Sequence, residues 1–381
     1  MQFEIYTQTL ILGFILASIF GAVANKTNFC TMGAVSDWIN IGDTNRLRAW
    51  ILAMATAVLG VGILEYLGLV DLGLITSNET SNPPYRTANF VWLRNLIGGL
   101  IFGIGMTLAS GCGNKTLVRI GEGNMKSVFV FVIMAVMASL MLFTSFDYVL
   151  FLQWMTPLSI DFSNYDISGQ DIGNIVNGFS NSESPAIYQL ASSLIVGLGL
   201  LTWVMKSADF RSDFELILAG LIIGTLVVIA WYITAGSMGQ LLLEEVDFMD
   251  ERPYAVGAQS LSFIAPSAHS LQYAYQGFSA QFLSFGIVTI GGVIFGSFLY
   301  TLIFRKVRIE WFVSWTDFFQ HVIGAVFMGV GGVLAMGCTI GQGISGVATL
   351  ALGSIVTVIA IVVGSAVTMK YQYYRMMHED D

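Results

Sequence analysis

The sequence predicts an all-α polytopic membrane protein: about nine transmembrane helices plus short re-entrant helices, in an inverted pseudo-two-fold repeat of four, one and four spans. Three observations predict it. Only 11% of the 381 residues are charged and 55% are hydrophobic, against about 25% charged in an ordinary soluble domain. Apolar runs of the length that crosses a bilayer, about 17–25 residues, recur along the whole chain. Finally, the same step of Leu-Ala, one variable residue, Gly and Cys ends two hydrophobic runs far apart in the chain, "LASGCG" at 108–113 and "LAMGCT" at 334–339. A soluble helical protein would need polar helix faces that these runs lack.

In order, the spans fall at 9–24, 47–69, 94–111, 127–147, 187–205, 214–234, 280–304, 318–337 and 349–369. The first has no basic leader and no small-residue cleavage site after Ile11–Phe20, so it is read as a retained span. With the N-terminus outside, the inner segments hold Lys26, Arg46, Arg48, Lys115, Arg119, Lys126, Lys206, Arg211, Arg305, Lys306, Arg308, Lys370 and Arg375. Only Arg86, Arg94 and Arg252 fall outside, so the positive-inside rule predicts N-out and C-in, in a plasma (inner) membrane. The outer segments are acidic: 148–186 carries Asp161, Asp166, Asp171 and Glu183, and 244–251 reads "EEVDFMDE". They read as a solvated, irregular outer face, long enough to fold over an entrance. The net charge of −9 comes mostly from these loops and points to no nucleic-acid partner.

The repeat sets the domain boundaries. "GGLIFGIGMTLASGC" (98–112) aligns without a gap on "GAVFMGVGGVLAMGC" (324–338), matching Gly98, Gly103, Gly105, Leu108, Ala109, Gly111 and Cys112 to Gly324, Gly329, Gly331, Leu334, Ala335, Gly337 and Cys338. Two weaker copies exist. Gly21 precedes Cys30 by the same interval as Gly103 precedes Cys112, and 219–233 matches at Gly220 and Gly224 with Ile233 in place of the cysteine. The predicted units are 1–147 (with Cys30 and Cys112), an outer loop and linking span at 148–205, and 206–381 (with Cys338). One odd span between two four-span units gives them opposite orientation, an architecture of transporters with the site at the repeat interface.

After each cysteine the chain is too short and polar to span, which predicts re-entrant helices around an hourglass waist. Helix starts bind oxyanions through free N–H groups without a formal cation. Gly111, Gly113, Gly337 and Gly341 permit close backbone approach, and Thr31, Asn114, Thr339 and Gln342 offer neutral hydrogen bonds. A neutral site holds a dianion loosely enough to release it. Cys30, Cys112 and Cys338 suit a ligand with an exposed sulfur, although an isolated buried thiol is ordinarily a small hydrophobe. Lys115, Arg119 and Lys126 are inner anchors that also draw an anion inward. Glu65 reads as interfacial, and His269 as a lining of an outer vestibule.

Other chemistries find little support. "GQGISG" (341–346) follows a membrane helix and not a strand, so it is no dinucleotide fold. "GCGNKT" (111–116) is a P-loop broken by Asn114. Three cysteines without C-x-x-C or a His pair make neither a disulfide framework nor a zinc site, and no cofactor is implied.

"NFCTMGAVSDW", "LASGCGNKTLVRIGEGN" and "LAMGCTIGQGISG" resemble the three cysteine signatures of the YeeE/YedE sulphur-transport family. The resemblance implies an inner-membrane permease for thiosulfate or a related sulfur anion. It also implies passage from Cys338 on the periplasmic side to Cys112 near the waist and Cys30 at the cytoplasmic exit, through S–H···S contacts. A small cytoplasmic TusA-like sulfurtransferase is the implied partner, beside membrane lipid. The alternatives are a membrane sulfurtransferase with a cysteine persulfide, a transporter of another sulfur or selenium compound, and a passive channel or scaffold.

Overall fold

The computed structural model describes residues 2–72, 85–180, 185–248 and 253–378. Glu183 and Arg252, singled out above, lie outside them. Among the described residues nine helices are long and apolar enough to cross a membrane. In chain order the main helices are α1 (Gln2–Thr27), α2 (Thr31–Ser36), α3 (Asn45–Tyr66), α4 (Trp92–Leu108), α5 (Gly113–Glu122), α6 (Met125–Phe143) and α7 (Ile172–Ser180). They continue with α8 (Pro185–Met205), α9 (Phe214–Ala235), α10 (Ser237–Asp247), α11 (Ile264–Tyr275), α12 (Phe285–Ile303), α13 (Trp315–Leu334) and α14 (Leu352–His378). Of these, α2, α5, α7, α10 and α11 are short; the other nine are the candidate spans.

Polar side chains fix several helix starts by accepting the first free amides. Asn124 caps α6, Asp213 caps α9, Ser284 caps α12 and Ser314 caps α13. The Ser284 cap explains why α12 starts five residues later than its apolar run, since Ala280–Phe282 forms a separate turn. In the bundle α1 packs on α12, α9 on α3, α14 on α4 and α13 on both α4 and α6, while α8 lies against α3.

Glycines let α4 and α13 cross at backbone distance, as small residues do between membrane helices. A Cβ on Gly105 would stand 2.7 Å from both the Gly324 carbonyl oxygen and the Met328 nitrogen, and one on Gly98 would stand 2.5 Å from the Ala335 nitrogen.

Three helices end on one and the same turn. Asn28, Ser110 and Met336, each two residues before a cysteine, take left-handed backbone (φ 50°, 57° and 59°). The following N–H reaches back five residues in every case: Phe29 to Ala24 O (3.1 Å), Gly111 to Met106 O (2.9 Å) and Gly337 to Gly332 O (2.7 Å). This is the Schellman motif, which satisfies the last carbonyls of a helix. The cysteine carbonyl then accepts the first amide of the next helical stretch, from Ala34, Thr116 and Gln342 respectively. Short helices therefore follow Cys30 and Cys112 as α2 and α5. After Cys338 the chain makes a π-helical turn, Gly341–Gly346, and a short 3-10 turn. The fourth break falls at Gly236, three residues beyond Ile233, with φ −82° and no left-handed residue.

The described part of segment 148–186 is largely exposed, as read, but it is anchored at particular points. Strands β1 (Asn89–Phe90) and β2 (Ile160–Asp161) pair antiparallel. Residues 170–172 exchange backbone bonds with 350–352. Asp171 is fully buried, accepting from the Asn174 amide (3.0 Å), its side chain (2.8 Å) and Gln189 Nε2 (2.5 Å). Buried Arg86 grips Glu65 with both guanidinium nitrogens (2.5 and 2.9 Å), donates to Thr349 O (3.1 Å) and lies 3.9 Å from Asp171. Burial opposes its charge, but the Glu65 and Asp171 carboxylates more than offset this and raise its pKa. Glu65 is thus an ion-pair partner, and the "EEVDFMDE" segment begins inside α10.

The α4–α13 crossing gives a paired test. Gly105→Ala should cost about 1–3 kcal/mol through overpacking, whereas Gly199→Ala in α8, whose added Cβ meets nothing within 4 Å, should cost nothing. Thermal unfolding of the purified variants reads the difference.

Candidate functional site

The three Schellman turns bring the cysteines toward the middle of the bundle. Cys30 Sγ and Cys112 Sγ are 3.7 Å apart. Cys112 donates to Asn114 Oδ1 (2.7 Å), so the Cys30 thiol is the donor across that gap. Asn114 Nδ2 donates in turn to Phe29 O (3.2 Å), tying the α5 start to the turn before α2. From the other half of the chain, the Thr339 side chain reaches the Cys112 thiol. Next to it, Cys338 Sγ accepts the Gly341 N–H at 3.4 Å. Cys112 and Cys338 are fully buried, and Cys30 is nearly so.

Cavities open at opposite ends of the bundle. The first, about 580 Å³, lies at the end where α3 and α9 start and is bordered by Cys30 and Ser110, by Lys26, Arg46, Lys115 and Arg119, and by the carboxylates of Asp37, Asp43, Asp213 and Glu215. The second, about 250 Å³, lies at the end where α4 starts and is bordered by Tyr85, Arg94, Ser262, His269, Met336 and Gly337. His269 lines it as expected, with burial holding its pKa down to about 4, so the ring is neutral near pH 7. Among the described residues no carboxylate borders this second cavity.

An arginine sits on each break. Arg46 donates to Asn28 O (2.8 Å), Arg119 to Ser110 O (2.8 Å) and Arg94 to Leu334 O (2.7 Å). Positive charge at a helix C-terminus is favourable, and these contacts tether the cations at the rims, away from the thiols.

The expected site residues divide. The Thr31 hydroxyl is buried without a hydrogen-bond partner, open to a ligand, whereas the Thr339 side chain lies against the Cys112 thiol. Asn114 is already engaged, and Gln342 spends its side chain on Ala335 O (2.7 Å) and Ser354 (2.5 Å), bracing the turn and not offering a free group. Gly341 is needed because a Cβ there would meet Ser262 Oγ at 2.5 Å. Gly113, by contrast, would meet only ordinary contacts. Gly111 is the amide that closes the Schellman turn, as is Gly337, which also borders the second cavity. Lys115 bonds Asn28 Oδ1 (3.1 Å) and borders the first cavity with Arg119. Lys126 does not border the first cavity: it pairs with Asp317 (2.7 Å) at another cavity of about 200 Å³, which Ser110 and Arg119 border as well. Sequence reasoning missed Tyr85 and Arg94, which reach this site from outside the cysteine motifs; Arg94, two residues into an apolar span, was the available signal.

The profile of a family described as sulphur transport matches residues 26–367, which include all three turns. The chain belongs to the sulphur transport family. Within it, the chain is 24% identical over 353 residues to the thiosulfate transporter TsuA of Escherichia coli K12, covering 87% of this chain and 86% of that protein. It is 25% identical over 370 residues to the thiosulfate transporter TsuA of Spirochaeta thermophila, covering 95% and 98%. A probable transporter YedE of E. coli K12 matches at 31% over 104 residues, covering 27% and 22%.

The thiol pair makes the site testable by itself. In a Cys338→Ser variant, mild oxidation should bridge Cys30 and Cys112 and remove both remaining free thiols, recoverable on reduction. A thiol count unchanged by oxidant would refute the contact.

Proposed function

We propose that the protein is a permease that carries thiosulfate or a related sulfur-containing anion inward along Cys338, Cys112 and Cys30. The observation that carries this reading is the contact of Cys112 with Cys30, which borders the first cavity, and with Thr339, the residue after Cys338, whose other neighbour Gly337 borders the second. Family membership and the two relatives named as thiosulfate transporters support it. The substrate contacts in this reading are neutral: S–H groups, the free Thr31 hydroxyl, the Thr339 hydroxyl beside Cys112, and the backbone of the turns. Arg94 gathers the anion at the outer cavity, and Lys115 and Arg119 gather it at the inner one.

The two halves act as an inverted repeat. Reciprocal contacts support this, because Gly98 meets Ala335 where Gly324 meets Ala109, and Gly105 meets Met328 where Gly331 meets Phe102. All four pairs obey the sequence offset that aligns the repeat. The charge distribution supports N-out and C-in in a bacterial inner membrane. A dianion moving inward against an interior-negative potential meets about 4–5 kcal/mol per 100 mV, so consumption inside, by a TusA-like sulfurtransferase in this reading, draws the flux. The persulfide alternative fares worse at Cys112: it needs an activated thiolate beside a cation, and the Cys112 proton faces the Asn114 carbonyl while Lys115 faces Asn28 and Glu122. Cys30 shares its cavity with Lys115, so the labelled-sulfur test decides for that thiol.

The test is uptake of thiosulfate labelled in each sulfur, in cells without other thiosulfate importers. Cys112→Ala and Cys338→Ala should each lower uptake by about tenfold or more, equivalent to about 1.4 kcal/mol, and both labels should enter together. Normal uptake in the double variant would sink the cysteine path; separation of the labels at the membrane would favour the sulfurtransferase.

A further inference from the structure

Cys338 is fully buried and does not border the second cavity, although its neighbour Gly337 does. Tyr85 stands at that boundary. Its side chain borders the cavity and is 4% exposed. The hydroxyl donates to Gly341 O at 2.9 Å, and the N–H of the same Gly341 sits on Cys338 Sγ at 3.4 Å. At the far end of the π-helical turn, a Cβ added to Gly346 would meet the Tyr85 ring at 3.0 Å, and Trp231 meets the ring edge-on at 6.1 Å between centroids. One side chain therefore covers the whole turn that follows the thiol.

Tyr85 does not belong to a membrane-crossing helix. It lies in the segment that runs through Arg86 into β1. Arg86, held by Glu65 and the Thr349 carbonyl, supplies a fixed point one residue away. Rotation of one side chain about that point uncovers the turn without moving a span.

We propose that Tyr85 is the outer gate of the passage. Release of its hydroxyl from Gly341 opens the step between the second cavity and the Cys338 thiol, and return of the hydroxyl closes it. This rests on the permease reading and deepens it by naming the side chain that controls access for the sulfur anion.

The test is the rate at which a negatively charged methanethiosulfonate reagent modifies Cys338 in purified protein carrying Cys30→Ser and Cys112→Ser. Tyr85→Phe keeps the ring and removes one buried hydrogen bond, so modification should quicken by about fivefold. Tyr85→Ala should quicken it by more than about tenfold. A companion chain that keeps only Cys30 reports general loosening, since Cys30 faces the other cavity. Rates at Cys338 unchanged in Tyr85→Phe and Tyr85→Ala overturn the gate, as does equal acceleration at Cys30. If Tyr85→Ala yields no folded protein, Tyr85→Phe alone decides. The readout needs no transport: faster labelling with uptake indifferent to Cys338 upholds the gate geometry and removes the permease path, whereas Cys338-dependent uptake with unchanged labelling does the reverse.

Discussion

The passage depends on ending helices in the interior of a membrane bundle without orphaning their carbonyls. In lipid an unsatisfied peptide group costs several kcal/mol, so a broken helix needs a self-contained stop. The Schellman turn supplies one, and it accepts a non-glycine left-handed residue at a cost of order 1 kcal/mol. Asn28, Ser110 and Met336 all bear that cost. Because the turn fixes the direction of the next two residues, it aims each cysteine the same way relative to its helix and lets its carbonyl start the following stretch. The recurrence of Leu-Ala, one variable residue, Gly and Cys in the sequence is the trace of that geometry.

Electrostatics follow from the same stops. Each left-handed turn leaves a negative helix end pointing inward, and Arg46, Arg119 and Arg94 sit on those ends. The arrangement stabilises the breaks and holds full charge at the mouths. Between them lie thiols, hydroxyls and peptide groups. The two cavities differ in charge: Arg94 faces the smaller one without a carboxylate, whereas the cations of the larger one stand among Asp37, Asp43, Asp213 and Glu215.

Much of this was legible in the chain. Nine apolar runs and the positions of the three breaks follow from length and composition, because bilayer thickness leaves few alternatives. The proximity of Cys30 to Cys112 was not legible, since residues 82 apart in sequence meet only through the α2 and α5 turns. Nor was the left-handed Met336, a residue with no preference for that conformation, held there by Gly332 and Val333 carbonyls. Asp171 reads as a solvated loop acid until Gln189 and Asn174 are placed around it. Gln342 has the composition of a ligand donor, yet Ala335 and Ser354 occupy it. In each case the deciding partner is remote in sequence or set by backbone shape.

The break at Gly236 has neither a cysteine nor a left-handed residue. Sulfur is consequently unevenly placed: Cys30 borders the wide basin, and no thiol borders the narrow one. A thiol-seeking reagent too bulky to pass the interior would therefore find its first target from the wide side alone.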